Sequence, residues 1–116
     1  MQESWKFKLK NTHSGPKDLI RETILKEKKE WNIFISLYAK LDGAIAEDIS
    51  LKEIKSMDTD LTGTIILAFK KIFYNACLNI HEQDKDKIEL DYQIDTEKDE
   101  IVFTGPLIPE RGMDDI

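Results

Sequence analysis

The stretch from Asp58 to Ile80 reads DTDLTGTIILAFKKIFYNACLNI, and its interpretation decides the order of the elements in the fold. It begins like a calcium-binding loop, but Phe69 occupies the position that normally supplies a bidentate carboxylate. It has the length of a membrane span, but Lys70 and Lys71 at its centre oppose insertion. At about 100° per residue, its large apolar residues fall on one half of a helical wheel. We therefore predict a core helix that is capped near Asp58.

This predicted helix carries a second, narrower apolar stripe. Leu67, Tyr74 and Leu78 follow one another at spacings of seven and four residues. Such a stripe is either covered by the tail or the first helix, or it forms a possible dimer interface. Cys77 lies at the edge of the main apolar half, which favours a buried structural thiol over a nucleophile.

The amino-terminal segment alternates between apolar side chains and lysines. Trp5, Phe7 and Leu9 occupy one side, which predicts a half-buried strand, and lysines on the other side suit the edge of a sheet. Residues 11–16 are rich in turn formers and end in Gly-Pro, a typical start for a helix. Apolar residues at helical spacing predict the first helix over residues 17–30.

Residues 32–41 allow two interpretations. Their β-branched and aromatic residues alternate with others, which favours a strand, although the same residues also approximate a continuation of the first helix. With a strand at this place, Asp42-Gly43 becomes a hairpin turn and residues 44–51 a shorter return strand.

The carboxyl-terminal segment has a clear period of two. Ile88, Leu90, Tyr92 and Ile94 alternate with polar residues, residues 96–99 form a turn, and residues 101–103 return. This pattern predicts a hairpin with one face on the core and one acidic face in water.

These elements predict an α+β domain over residues 1–105. Two helices pack on one face of a mostly antiparallel sheet of about five strands, in the order β-α-β-β-α-β-β. We expect residues 106–116 to form an extended, partly disordered acidic tail, because they contain two prolines and a glycine.

The charge is uneven along the chain. The net charge is -6 and the pI about 4.9, which disfavours general contact with nucleic acid or an anionic membrane surface. Residues 1–40 carry nine Lys/Arg against five Asp/Glu, whereas residues 82–100 carry three lysines against nine acids. One cysteine cannot form an internal disulfide, which favours a reducing compartment, and we expect a cytoplasmic protein.

No pattern for catalysis or cofactor binding is found in the sequence. Neither His13 nor His81 stands beside ligands at zinc spacing, and no glycine-rich phosphate loop occurs. The carboxylates of the last hairpin lie on an open strand face, where nothing apolar would raise a pKa for acid catalysis. We expect no catalytic residue, no metal and no cofactor.

The function that fits these observations is a non-enzymatic, acidic binding protein of the inhibitor, immunity or adaptor type. Its partner would be a protein with a basic surface, because an acidic face competes for surfaces that bind nucleic acid. No membrane partner is expected. The predicted partner-binding residues are the polar residues of the last hairpin: Glu89, Asp91, Gln93, Asp95, Asp99 and Glu100.

The alternative is a homodimeric nucleic-acid-associated or scaffold protein. The apolar spacing from Ile49 to Phe69 is similar to the strand-to-helix step of the YbaB nucleoid-associated family, whose members are acidic dimers. The resemblance concerns this spacing alone. It implies a homodimer that uses the Leu67, Tyr74 and Leu78 stripe, together with the lysines of the first strand.

Overall fold

A computed structural model describes residues 1–10, 12–75 and 80–109, with the backbone alone at residues 74–75 and 80–82. The chain begins with strand β1 and two helices, and a short 3-10 turn over Lys40–Asp42 leads into the remaining strands. The elements are β1 (Ser4–Lys8), α1 (Pro16–Lys26), α2 (Lys28–Ala39), β2 (Ala44–Met57), β3 (Thr62–Asn75), β4 (Ile80–Asp95) and β5 (Glu100–Thr104).

The strands form one antiparallel sheet in the order β1-β5-β4-β3-β2, and both helices pack on the same face of it. The predicted α+β fold, with two helices on a five-stranded antiparallel sheet, is therefore confirmed. β1 is an edge strand with its lysines exposed, as predicted. The carboxyl-terminal hairpin is also confirmed, with β4 and β5 joined by the turn at residues 96–99.

The described residues of the stretch Asp58–Ile80 contain no helix. The helix α2 covers residues 28–39, where a strand was the favoured prediction for residues 32–41. The reason is visible in its buried side chains: Trp31, Phe34, Ile35, Tyr38 and Ala39 follow a helical spacing and all face the core. The alternation of β-branched residues in this segment was accidental, and the helical spacing determined the structure.

Residues 62–75 form strand β3, which corrects the predicted core helix. β3 lies between β2 and β4, so its outer face is also partly shielded by neighbours. Ile65, Leu67 and Phe69 are buried, while Ile66 and Ala68 between them are half-buried. A strand that is apolar on both sides lacks the simple alternation of a half-exposed strand, and a short apolar run of this kind resembles a helix face.

The residues before β3 form a tight turn. The backbone N–H of Asp58 donates to the carbonyl of Thr62 over 3.0 Å, and the carbonyl of Leu61 accepts from the N–H of Ile94 over 2.7 Å. The segment from Ile49 to Phe69 is therefore strand, turn and strand. It lacks the strand-to-helix step on which the resemblance to the YbaB family depends.

The first helix is shorter than predicted and ends where α2 begins. Pro16 is the first residue of α1, as expected for a proline in the first turn, and Glu27 interrupts the helical dihedral angles with φ -115° and ψ 41°. Gly43 follows the 3-10 turn at φ 77°, so it ends the helical segment. Asp42-Gly43 is thus a helix end, and the predicted hairpin turn is wrong at this position.

The core is centred on Trp31. Its ring lies 4.9 Å from the ring of Phe7 and 4.7 Å from that of Phe103, so α2 is fixed against β1 and β5 by aromatic contacts. Trp31, Phe34 and Phe103 are completely buried. The core therefore lies entirely between the helices and one face of the sheet.

Tyr38 joins the two ends of the chain. Its hydroxyl accepts the backbone N–H of Glu3 over 2.8 Å and donates to the carbonyl of Pro106 over 3.0 Å. The amino group of Met1 also donates to the carbonyl of Ile108 over 2.6 Å. Residues 106–109 of the predicted tail are thus held to the domain, and residues 110–116 lie outside the described residues.

Candidate binding face

The face of the sheet opposite the helices is uncovered by any described element, and we call it the open face. In β4 the buried Ile88, Leu90, Tyr92 and Ile94 alternate with exposed residues, so the exposed set points away from the helices. This set is charged except at its two ends, and it comprises Gln83, Lys85, Lys87, Glu89, Asp91 and Gln93.

The predicted partner-binding residues come together on this face. The hairpin register places Asp95 opposite Glu100, and Gln93 and Asp91 follow along β4 on the same side. Glu89 is the next residue of this row. Asp99 is exposed in the turn beside them, at a positive φ of 51°. The structure thus groups these residues into one acidic end of the open face.

Lysines partly neutralise this acidic end. Lys55 of β2 lies 2.6 Å from Glu89, and Lys8 of β1 lies 2.9 Å from Glu100. The hydrogen bond from Lys8 holds the pKa of the Glu100 carboxyl below its usual value, and the hydrogen bond to Glu89 raises the pKa of Lys55. These pairs are exposed to solvent, so each adds little to the stability of the fold.

Two other acids are fixed by neutral donors. The Thr64 hydroxyl donates to Asp91 over 3.0 Å. Asp95 accepts the backbone N–H groups of Glu97 and Lys98 over 3.0 and 3.1 Å, so it organises the hairpin turn. Neither Asp91 nor Asp95 forms an ion pair with a lysine among the described residues.

The opposite end of the open face is basic, a feature absent from the predictions made above. Lys70 and Lys85 stand directly opposite each other in the register of β3 and β4. Lys52 lies so close to Lys87 that repulsion between the two ammonium groups lowers the pKa of Lys52. These four lysines surround a depression of about 550 Å³ above the small side chain of Ala68.

The basic end is only partly balanced by acids. Lys70 lies 3.1 Å from Asp48, whereas Lys52, Lys85 and Lys87 form no ion pair with any described side chain. Like charges directly opposite each other in a sheet are destabilising, so this cluster costs the isolated chain free energy. The alternation of exposed residues in β4 extends back to Gln83, and following it before Ile88 would have revealed Lys85 and Lys87.

Of the predicted dimer stripe, the structure describes only the side chain of Leu67. Leu67 is completely buried in β3 and faces the helices, because β3 is a strand. Leu78 and Cys77 lie outside the described residues, as do the side chains of Tyr74 and His81. Leu67 therefore offers no exposed surface to a second subunit.

A second depression, of about 510 Å³, lies between the helices and β2. Arg21, Ile24 and Leu25 of α1 line one side, and Asp48 to Leu51 line the other. Leu25 is 70% exposed there. Lys28 also lines this groove, so it carries two cations and one carboxylate beside an apolar wall, without the cluster of four lysines found on the open face.

Within the residues that the structure describes, no three His, Cys, Asp or Glu side chains are grouped so that they could hold a metal ion. Neither of the two described helices has the length and apolar character needed to cross a membrane. A scan of protein-family models and searches of curated proteins and solved structures find no match to this chain.

Proposed function

We propose that this protein is a non-enzymatic, cytoplasmic binding domain that engages a basic surface of a protein partner through the acidic end of its open face. The observation that carries the proposal is the grouping of Glu89, Asp91, Asp95 and Glu100 on a sheet face that no described element covers. An inhibitor, immunity-type or adaptor role is consistent with such a face.

The geometry supports binding by charge complementarity more than by burial of apolar surface. The acids stand on paired strands, and Asp91 and Asp95 are held by hydrogen bonds, so little side-chain entropy is lost on contact. Electrostatic complementarity of this kind increases the association rate and fixes specificity. We therefore expect binding to weaken steeply with salt, because exposed charges are screened.

The test compares a charge-reversed variant with a matched control. Glu89→Lys/Asp91→Lys reverses the centre of the acidic end and leaves Asp95, which the hairpin turn needs. Asp18→Lys/Glu27→Lys gives the same change of net charge at exposed positions of the helical segment, on the other side of the sheet. Both variants are used as baits in lysate of the native host, and the captured proteins are quantified by mass spectrometry.

We expect the parent and the control to capture the same specific partner. The amount of this partner captured by Glu89→Lys/Asp91→Lys should be at least tenfold lower. Circular dichroism and the urea midpoint check that both variants remain folded. The proposal is wrong if the reversed variant retains the same proteins as the parent at moderate salt.

A further inference from the structure

The exposed side chains of β4 form a row whose charge reverses sign at its centre. From one end to the other the row reads Gln83, Lys85, Lys87, Glu89, Asp91, Gln93. Residues at equal distances from Ile88 are opposite in charge or, at the two ends, both glutamine. A row of this kind is complementary to itself when a second copy is laid over it in the reverse direction.

We propose that the open face binds the open face of a second copy of this chain, with β4 antiparallel to the partner's β4. A two-fold axis in the plane of the interface, crossing β4 at Ile88, places each lysine of this row over an acid. Lys87 then faces the second copy's Glu89, and Lys85 faces its Asp91. Each contact occurs twice, as two-fold symmetry requires.

The same axis fits the neighbouring strand. β3 and β4 are paired without interruption, with Leu67 opposite Ile88, so the axis passes between Ile66 and Ala68. Ile66 of one copy then stands over the depression at Ala68 of the other. Both residues are half-buried in the isolated chain, and their contact would give the interface a small apolar centre.

The symmetric contact also reduces the charge repulsion at the basic end. Lys85 and Lys87 have no carboxylate partner among the described residues, while Asp91 has only the Thr64 hydroxyl. When the two copies meet, Lys85 faces the second copy's Asp91 and Lys87 faces its Glu89, so each of these side chains gains an opposite charge. Stacked sheets keep their strand directions within about 30° of each other, which permits this arrangement of β4.

The interface is small. Residues 83–93 span roughly 35 Å at about 3.3 Å per residue, and three strands spaced by about 4.8 Å give a width of roughly 10–15 Å. The resulting area of roughly 500 Å² per copy is below the ~800 Å² of a typical stable complex. We therefore expect a weak dimer that dissociates at high salt.

This inference goes beyond the proposed function and does not depend on it. The two nevertheless share Glu89 and Asp91. A second copy would cover these acids, so an external basic partner would have to displace it.

The test uses charge reversals that the symmetry makes reciprocal. Sedimentation equilibrium at about 50 mM and about 500 mM salt, where screening differs, measures the mass of the parent against the 13.5 kDa of one chain. Lys85→Glu/Lys87→Glu and Glu89→Lys/Asp91→Lys each place like charges against each other across the axis. Each is expected to weaken the dimer at least tenfold at low salt.

Two experiments are expected to restore the dimer. The two double variants mixed in equal amounts form a heterodimer, because each supplies the charge that the other needs. The quadruple variant, which carries all four substitutions, again forms a homodimer, since its reversed row is also self-complementary. Circular dichroism confirms that each variant is folded.

Several results would overturn the proposal. These are a parent that stays monomeric at millimolar concentration and low salt, double variants that dimerise like the parent, or a quadruple variant that stays monomeric. A monomeric parent that binds inorganic tripolyphosphate through Lys85 and Lys87 would instead assign the basic end to a free anion. Failure of the proposed function is distinguishable, because Lys85→Glu/Lys87→Glu loses the dimer but keeps the acidic end.

Discussion

The Tyr38 hydroxyl is the point at which a single atom connects both ends of the chain to the core. It lies at the carboxyl end of α2 and is hydrogen-bonded to the backbone of Glu3 and of Pro106. Replacing Tyr38 with Phe removes that oxygen and leaves the ring in place. The backbone N–H and carbonyl that it satisfied then have no partner in a partly buried position.

The expected loss follows from these two bonds. Each contributes about 0.5–1.5 kcal/mol net, and groups left without a partner away from water add to the cost. We expect Tyr38→Phe to lower the free energy of unfolding by about 2 kcal/mol. For a domain of this size that corresponds to a fall in Tm of roughly 6–10 °C.

Tyr92 provides the matched control. Its side chain is also buried, but its hydroxyl has no hydrogen-bond partner among the described residues. Removing a buried hydroxyl without a partner costs nothing in lost bonds, so Tyr92→Phe should be neutral or stabilise the fold by up to about 1 kcal/mol. Urea denaturation followed by tryptophan fluorescence measures both variants against the parent.

The decisive result is whether Tyr38→Phe lowers the urea midpoint more than Tyr92→Phe does. If Tyr38→Phe and Tyr92→Phe shift the urea midpoint equally, the hydrogen bonds of Tyr38 do not contribute as argued. The amide proton of Glu3 should also exchange faster with solvent in Tyr38→Phe than in Tyr92→Phe. Unchanged exchange would show that the N–H of Glu3 does not depend on the hydroxyl.

Three other predictions concern packing and titration. Gly63→Ala should lower the free energy of unfolding by roughly 2–3 kcal/mol, measured by urea denaturation. The reason is that a Cβ at this position would lie 2.8 Å from the Tyr92 ring and overlap the backbone carbonyl of Ser56. An unchanged urea midpoint would contradict this prediction. Burial is the largest single influence on Asp86 and raises its pKa, but the hydrogen bonds from Lys71 and from the Lys87 backbone N–H, with the charges of both lysines, together outweigh it and lower the pKa. The stability that this carboxylate contributes is therefore present at neutral pH and lost as pH falls. Lys71→Met, which also removes the contact with Asp42, should therefore destabilise at pH 7 and approach the parent below about pH 4; a difference that does not depend on pH would refute the role of the charge. Burial raises the pKa of Tyr38 and Tyr92, so their contribution to stability is fully present below the pKa of an unfolded tyrosine. The Tm should therefore fall as pH rises above about 10. A Tm that does not change with pH in this range would contradict the prediction.

The fold class could be predicted because its strongest patterns are local. Phe7 and Leu9 alternate with lysines at an edge, and Leu90 and Tyr92 alternate with acids in a hairpin, so each segment has one face in water. Where one face of a strand is exposed to solvent, the alternation of apolar and polar residues identifies the buried side. These segments were placed correctly, and with them most of the acidic end of the open face.

The two interior segments could not be assigned in this way. Residues 32–39 and 62–75 are apolar on more than one side, so period two and period 3.6 both fit part of each pattern. Because the helix and the strand exchanged places, Lys70 was assigned to a helix, and its position opposite Lys85 was not foreseen.

The sequence by itself determined the class of the fold, the carboxyl-terminal hairpin and the acidic character of its outer face, because each depends on residues close together in the chain. Only the tertiary structure decided which apolar segment became the second helix, since that depends on which neighbours cover it. The tertiary structure also decided that Lys52, Lys70, Lys85 and Lys87 meet at one end of the open face. Their proximity arises from three paired strands, and no local pattern encodes that pairing.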